Sequence, residues 1–211
     1  VEVAYTSASL AANVPQGYAL LNCASVDSRG ISLPTNPAGG TVDEGDVAYA
    51  AGNDVTCDVA LRRALNYGID RERMIQNVLN GYGHAAYSVG DGMPWSSPAM
   101  EVATDVAAAE KLLEQAGWAL GADGVRAKDG LRCSFDLYYA ANDSTRQALA
   151  YDFADQCAQL GIEVSPKGGS WDELYQHQYS DPILWGWGSN SPVELFELTY
   201  SEGWGNYAQY K

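Results

Sequence analysis

Residues 131–166, LRCSFDLYYAANDSTRQALAYDFADQCAQLGIEVSP, decide the fold class. SFDLYYA is rich in aromatic and apolar residues and predicts a strand. The period changes after Asp143: Ala150, Phe153, Cys157 and Leu160 share one helical face, and Gly161 ends the run. IEVSP then predicts a second, short strand. The rhythm continues downstream. Ser170, with Glu173 three residues on, has the capping-box pattern of a helix start in SWDELYQHQYS. ILWGW at 183–187 predicts another strand, GSNSP a polar turn, and Val193 to Tyr200 an amphipathic helix. Strand and helix alternate through the second half, which argues for an α/β layer with partly parallel strands.

Upstream, a helix is expected after GNDVT, with Asp54 or Thr56 as its cap and Val59, Ala60, Ala64, Leu65 and Tyr67 as its stripe. Gly68 ends it. Asp70 caps a second helix with Glu72 in its first turn and Met74, Ile75, Val78 and Leu79 on one face. Residues 84–100, HAAYSVGDGMPWSSPAM, carry no period and read as a long irregular loop of the kind that often serves function. A third helix is expected from Asp105 to Ala116 with Gly117 past its end. GADGVRAKDGLRCSFDLYYA reads as a hairpin, with Gly130 in the turn, leading into the SFDLYYA strand. Near the N-terminus EVAY, YALLNCASV and RGISLP are strand candidates, and LPTNPAGGTVDEGD is expected to be loop.

The chain has 211 residues, 46% of them hydrophobic, enough to bury a real core. Twelve cationic residues against 27 acidic ones give a net charge of −15. That excludes the clustered positive charge that nucleic acid needs and disfavours anionic membrane surfaces. It keeps the chain soluble and favours cationic guests. No apolar run is long enough to span a bilayer, and no signal peptide is visible. The chain opens directly in the strand-like VEVAYTSASL, so a piece of a longer protein is expected. Cys23, Cys57, Cys133 and Cys157 form no CxxC pair, which argues against zinc; disulfides and buried thiols both stay open. Cys57 and Cys157 fall on apolar helix faces, Cys23 and Cys133 in strand candidates.

Catalytic signatures are missing. His84 and His177 lie far apart, and no HExxH, GxSxG or P-loop pattern occurs. GADGVRAKDG lacks the ligand spacing of a calcium loop. No cofactor or metal site is expected. The remaining signal is aromatic: six Trp and fourteen Tyr. Trp95, Tyr138, Tyr139, Trp185 and Trp187 fall in loops or at strand ends, where together they suit a concave, ring-lined site. In α/β sheets ligands gather beyond the carboxyl ends of strands. DLYYAAND and LWGWGSNSP both end strands in that way, so the expected ligand-binding residues are Tyr138, Tyr139, Asn142, Trp187, Gly188, Ser189 and Asn190, with Trp95 from the long loop.

Four segments in register, DVALRRALNYGIDRERMIQNVLNGYG, DVAAAEKLLEQAGW, LRCSFDLYYAANDSTRQALAYDFADQCAQLGIEV and SWDELYQHQYSDPILWGWGS, resemble the family 5 extracellular solute-binding proteins, the peptide- and nickel-binding components of ABC importers. The resemblance runs from about residue 54 to about 200. It implies one lobe of a two-lobed, hinge-closing protein, with a mixed sheet flanked by helices as in the type II periplasmic binding proteins. Residues 1–20 would be the end of the first lobe or a crossing strand, and residues 21–211 the second, C-terminal ligand-binding lobe, incomplete at its own C-terminus. In peptide-binding members an Asp after the W-G-x segment holds the ligand's amine. Asn190 stands there and keeps only the uncharged part of that contact, leaving Asp91 or the missing lobe to supply charge. In dipeptide-binding members an Arg after the LYY-type strand takes the carboxylate; Tyr139 or a neighbour stands there instead. Arg146 is a candidate substitute, set against its reading as a surface cation.

The resemblance implies import of an oligopeptide or dipeptide bound between two lobes, without catalysis. The alternative within the family is nickel or a nickel chelate, and a remote one is a carbohydrate-active enzyme. It also implies an ABC permease as partner, a monomer, and an extracellular or periplasmic location with a lipoprotein anchor on the missing N-terminal segment.

Overall fold

The computed structural model describes residues 3–23, 25–188 and 191–211. The elements in chain order are β1 (Ser28–Ser32), β2 (Gly40–Glu44), β3 (Val47–Ala51), α1 (Val59–Gly68), α2 (Arg71–Leu79), α3 (Val106–Gln115), β4 (Ala119–Leu120), β5 (Arg126–Lys128), β6 (Leu131–Arg132), β7 (Ser134–Ala140), α4 (Ser144–Gln159), β8 (Glu163–Gly169), α5 (Trp171–Gln176), β9 (Ile183–Trp187) and α6 (Pro192–Thr199).

The central sheet has the order β1-β9-β7-β8. β7 and β8 run parallel from Ser134↔Glu163 to Ala140↔Gly169, joined by α4, the βαβ unit that the quoted stretch predicts. β9 lies parallel to β7 with Tyr138 opposite Ile183, and β1 is antiparallel to β9. The mixed sheet is flanked by helices, as expected from sequence.

Two cores follow from the two-residue period of the strands. Phe135, Leu137, Tyr139 and Leu184 point to one face, where α1, α3 and α4 supply Leu61, Leu65, Leu113, Ala150, Phe153 and Cys157. Ala140, Ile183 and Trp185 point to the other, against Leu174 of α5, Tyr179 and Tyr207. Leu61, Leu113 and Leu137 are fully buried, each contributing about 2 kcal/mol.

Short polar residues start the α-helices, since they satisfy amides left free at the first turn. Asp70 accepts the Arg73 amide at 3.0 Å, Asp105 that of Ala108 at 2.9 Å, and Ser170 that of Glu173 at 3.2 Å. The cap of α1 is Asp58, which accepts the Ala60 amide at 2.8 Å, and not Asp54 or Thr56. Thr56 is buried and donates to the Pro34 carbonyl at 2.8 Å, while Asp54 accepts the Ala38 amide at 2.9 Å.

Three further expectations are corrected. The described residues of EVAY and YALLNCASV are not in strands; pairing begins at Ser28. Part of the expected loop at 33–46 is strand: β2 and β3 form a hairpin across the two-residue turn Gly45–Asp46, where Gly45 takes a left-handed φ of 59°. Cys57 precedes α1, Cys23 is exposed outside any strand, and all four cysteines are free thiols. The predicted turn at Gly130 is present, preceded by Asp129, both left-handed between β5 and β6.

Candidate functional site

The site arises from a stagger. β7 ends at Ala140, yet the pairing of Tyr138 with Ile183 sends the last residues of β9 beyond that end. Parallel strands place helix N-termini at their carboxyl ends. The first turn of α4 and the start of α5 therefore meet beside the overhang.

Asp143 caps α4, its Oδ1 accepting the amides of Thr145 at 2.9 Å and Arg146 at 3.0 Å. Its other oxygen pairs with Nη1 of Arg146. Burial alone would raise the Asp143 carboxyl, but the Arg146 amide and guanidinium and the Thr145 amide outweigh it and hold the pKa below the usual carboxylate value. The Arg146 guanidinium lies 5.2 Å from the centroid of the Trp171 ring, and Trp171 stacks on Trp185 at 6.1 Å with an 18° interplanar angle.

The floor is Gly186. A Cβ there would fall 2.7 Å from Nη2 of Arg146 and 2.7 Å from Nη1 of Arg29. Two guanidiniums thus converge above one glycine. Arg29 is held by Asp27 at 2.5 Å. The Arg146 side chain is only 13% exposed, and among the described residues its buried Nε has no hydrogen-bond partner. A buried donor without a partner is a costly feature. Each guanidinium already has one carboxylate, yet donors remain: the corner can accept a planar anion such as a carboxylate.

The residues expected from sequence divide. Trp187 is half-buried, and its ring covers Gly30, whose Cβ would stand 3.0 Å from it. Gly188 lies next to Asp27, and exposed Asn142 follows the end of β7, so these three share one end of the sheet. Ser189 and Asn190 lie outside the described residues. Tyr138 and Tyr139, being consecutive in β7, point to opposite faces. Tyr138 stacks on His177 at 4.1 Å. Tyr139 is 6% exposed in the helix-facing core, with its ring edge-on to Tyr151, which corrects its placement on an open wall. Asp91 accepts the Tyr87 amide and, at 2.8 Å, the Ser88 hydroxyl, so it closes its own turn. Trp95 covers Gly90 in the same loop, and that loop is tied to α2 through Arg71 over the Tyr87 ring at 4.9 Å. Both are loop-internal instead of facing the strand ends.

Arg29 and Trp171 were missed, and Arg146 was set against a surface reading. One signal points to it: a cation in the first turn of a helix opposes the helix dipole, and here the Asp143 carboxylate and the Trp171 ring offset that cost.

The fold and this corner define a class: an α/β lobe that presents polar groups at the carboxyl ends of parallel strands. The profile of the bacterial extracellular solute-binding proteins, family 5 Middle, matches residues 18–207, and the chain belongs to that family. It is 37% identical over 173 residues to Protein XP55 of Streptomyces lividans, covering 78% of this chain and 32% of that protein. It is 27% identical over 159 residues to the oligopeptide-binding protein AppA of Bacillus subtilis, covering 71% of this chain and 29% of AppA. The chain thus spans about a third of the length of these curated relatives. Among solved structures it is similar to NikA from Brucella suis in complex with Fe(III)-EDTA, at 26% identity and a TM-score of 0.69, over 87% of this chain and 35% of NikA. It is also similar to AppA in complex with a nonapeptide, at 25% identity and a TM-score of 0.66, over 88% of this chain and 38% of AppA.

Proposed function

We propose that this chain is the second ligand-binding lobe of an importer's solute receptor and that its guest is a peptide. The observation that carries the reading is the pair of guanidiniums over Gly186 at the carboxyl ends of parallel strands, in a chain of this family. Arg146 and Arg29 would take the carboxylate of the guest, while Trp171 and Trp187 would form apolar walls. A second lobe closing over this end would bury the rest of an extended peptide, with main-chain contacts giving affinity and pockets giving side-chain tolerance. The lobe acts by binding, without chemistry on the guest. Residues 1–20 would lead from the first lobe, and an ABC permease and an extracellular or periplasmic setting with an N-terminal anchor complete the scheme.

A second reading within the family is an anionic metal chelate. NikA holds Fe(III)-EDTA, and a relative sharing 29% identity over 126 residues is the nickel-binding periplasmic protein of Escherichia coli. The arginine corner suits the carboxylates of such a chelate. Among the described residues no group of three or more His, Cys, Asp or Glu side chains stands ready to hold a bare ion.

The test is a nuclear magnetic resonance titration of the full chain with trialanine, trialanine amide and nickel–histidine. Half a cleft binds weakly, so millimolar affinity is expected. Trialanine should shift the Trp171 indole and Arg146 Nε resonances, and the amide should not. Gly186→Ala, which pushes the two guanidiniums apart, should remove the response without unfolding the chain. Equal shifts with acid and amide, or none with trialanine at saturating concentration, refute the peptide reading; a response to nickel–histidine alone selects the chelate.

A further inference from the structure

On the face of the central sheet that carries α5, a depression of about 500 Å³ opens between the β2–β3 hairpin, α5 and the segment after α6. Glu44 and Tyr49 come from the hairpin, Asp172 and Tyr175 from α5, and Trp204 and Tyr207 from the last segment. A continuous stack of rings supports it. Tyr207 lies against Trp185 at 4.5 Å and 18°, Tyr175 tilts onto Trp185 at 5.7 Å, and Tyr179 joins Tyr207 at 6.0 Å to Tyr49 at 6.1 Å. In contrast to these packed rings, Trp204 is 68% and Tyr175 42% exposed. Large rings left open at the rim of a concavity mark contact surface.

The charges are one-sided. Glu44 is oriented by the Tyr179 hydroxyl, which donates to it, and by Gln178 Nε2 at 3.4 Å. Among the described residues neither Glu44 nor Asp172 has a cationic partner, and no residue lining the depression is cationic. Burial, followed by the Tyr175 and Glu44 charges, pushes the Tyr207 phenol up to about 12. Burial and then Glu44 raise Tyr179 as well. Neither phenol therefore adds a charge to the depression at neutral pH.

We propose that this depression binds a small organic cation, an alkylammonium group seated against Trp204 and Tyr175 and neutralised by Glu44 and Asp172. Ring faces attract ammonium groups, and two carboxylates with no counter-charge supply the complement. The chain's net charge of −15 raises the local concentration of such guests. A neutral sugar would also stack on the rings but would leave both carboxylates uncompensated. The site stands apart from the arginine corner in sign of charge and does not rest on the peptide reading. Trp171 and Trp185 connect the two through the ring stack, so a guest carrying both charges could meet each end.

The test is calorimetric titration of the full chain with spermidine, tetramethylammonium chloride and maltohexaose at low salt. Both cations should bind, and added salt should weaken spermidine. Glu44→Gln and Trp204→Ala should each weaken cation binding by about three- to thirtyfold. Asp172→Asn, an exposed position that makes no side-chain hydrogen bond among the described residues, covers the case in which the Glu44 variant fails to fold. Arg146→Met should abolish the trialanine response and leave spermidine unchanged, which separates this site from the peptide corner. Absence of heat with both cations overturns the proposal. Cation binding unaltered by these three substitutions overturns it too, by assigning the heat to the general acidic surface. Maltohexaose binding that responds to the same variants transfers the site to sugars.

Discussion

Arg146→Met is the most informative single substitution, because it separates folding from binding at one position. Arginine supplies an ion pair to Asp143 with side chains 13% and 25% exposed, worth about 1 kcal/mol in so partly solvated a setting. Its contact with Trp171 at 5.2 Å adds about 0.5–1 kcal/mol. Asp143 is not stranded by the loss, since it keeps the Thr145 and Arg146 amides. Methionine preserves most of the apolar stem against Trp171. Two unfavourable features disappear: the unpartnered Nε, costing about 1–3 kcal/mol, and a cation in the first turn of α4, costing about 0.3–1 kcal/mol. The sum lies between a loss of about 0.7 and a gain of about 2.5 kcal/mol. Urea unfolding followed by tryptophan fluorescence should therefore give a midpoint close to or above the parent's with an unchanged slope, while the trialanine response vanishes. A loss above about 3 kcal/mol would show that Arg146 is a structural keystone, and the binding argument built on its orphaned nitrogen would fall with it.

Asp58→Ala removes the cap of α1 and leaves the indole N–H of Trp118, a residue 1% exposed, without its acceptor; a loss of about 3 kcal/mol is expected in the same assay. Lys128, 35% exposed, adds little to that figure. Burial would raise the Asp58 carboxyl, but Lys128, the Ala60 amide and Trp118 hold it below the usual value. Its contribution is thus present above the ordinary carboxylate range and lost as pH falls through the folded-state value, so Asp58→Asn should flatten the acid limb of a stability–pH curve below about pH 5. Burial pushes the Cys133 thiol up to about 12 and raises Cys157 strongly. At pH 8 a maleimide should label exposed Cys23 within minutes and reach Cys133 and Cys157 only on unfolding, as read by peptide mass mapping; equal native-state labelling would contradict the described core.

The helices and the parallel βαβ unit were legible because local rules and tertiary packing agree there. Asp70, Asp105 and Ser170 cap where short polar residues should, and the apolar stripe through Ala150, Phe153, Cys157 and Leu160 faces the core. The β2–β3 hairpin was not read, because Pro and Gly in the flanking residues read as loop and only Gly45–Asp46 between Val42 and Val47 signalled a two-residue turn. The strand ends at the candidate site were legible, the side chains gathered there less so. Strand ends at Ala140 and Trp187 were placed well, and Asn142, Trp187 and Gly188 do stand at that end. Tyr139 was misjudged because two adjacent aromatics in a strand cannot face the same side. Asp91 was misjudged because a carboxylate in a loop rich in amides finds them locally. Arg29 lies on a strand far from the rest in sequence, and only the antiparallel partner of Gly186 could reveal it.

The overhang of β9 has an evolutionary side. A notch cut by unequal strand lengths belongs to the backbone, so the connection at 141–143 can drift in sequence while its depth persists. Exchanging the residues that look into the notch would change its chemistry with the sheet left as it is. Adding two paired residues to β7 would fill the space with main chain and abolish the notch, whatever side chains remained.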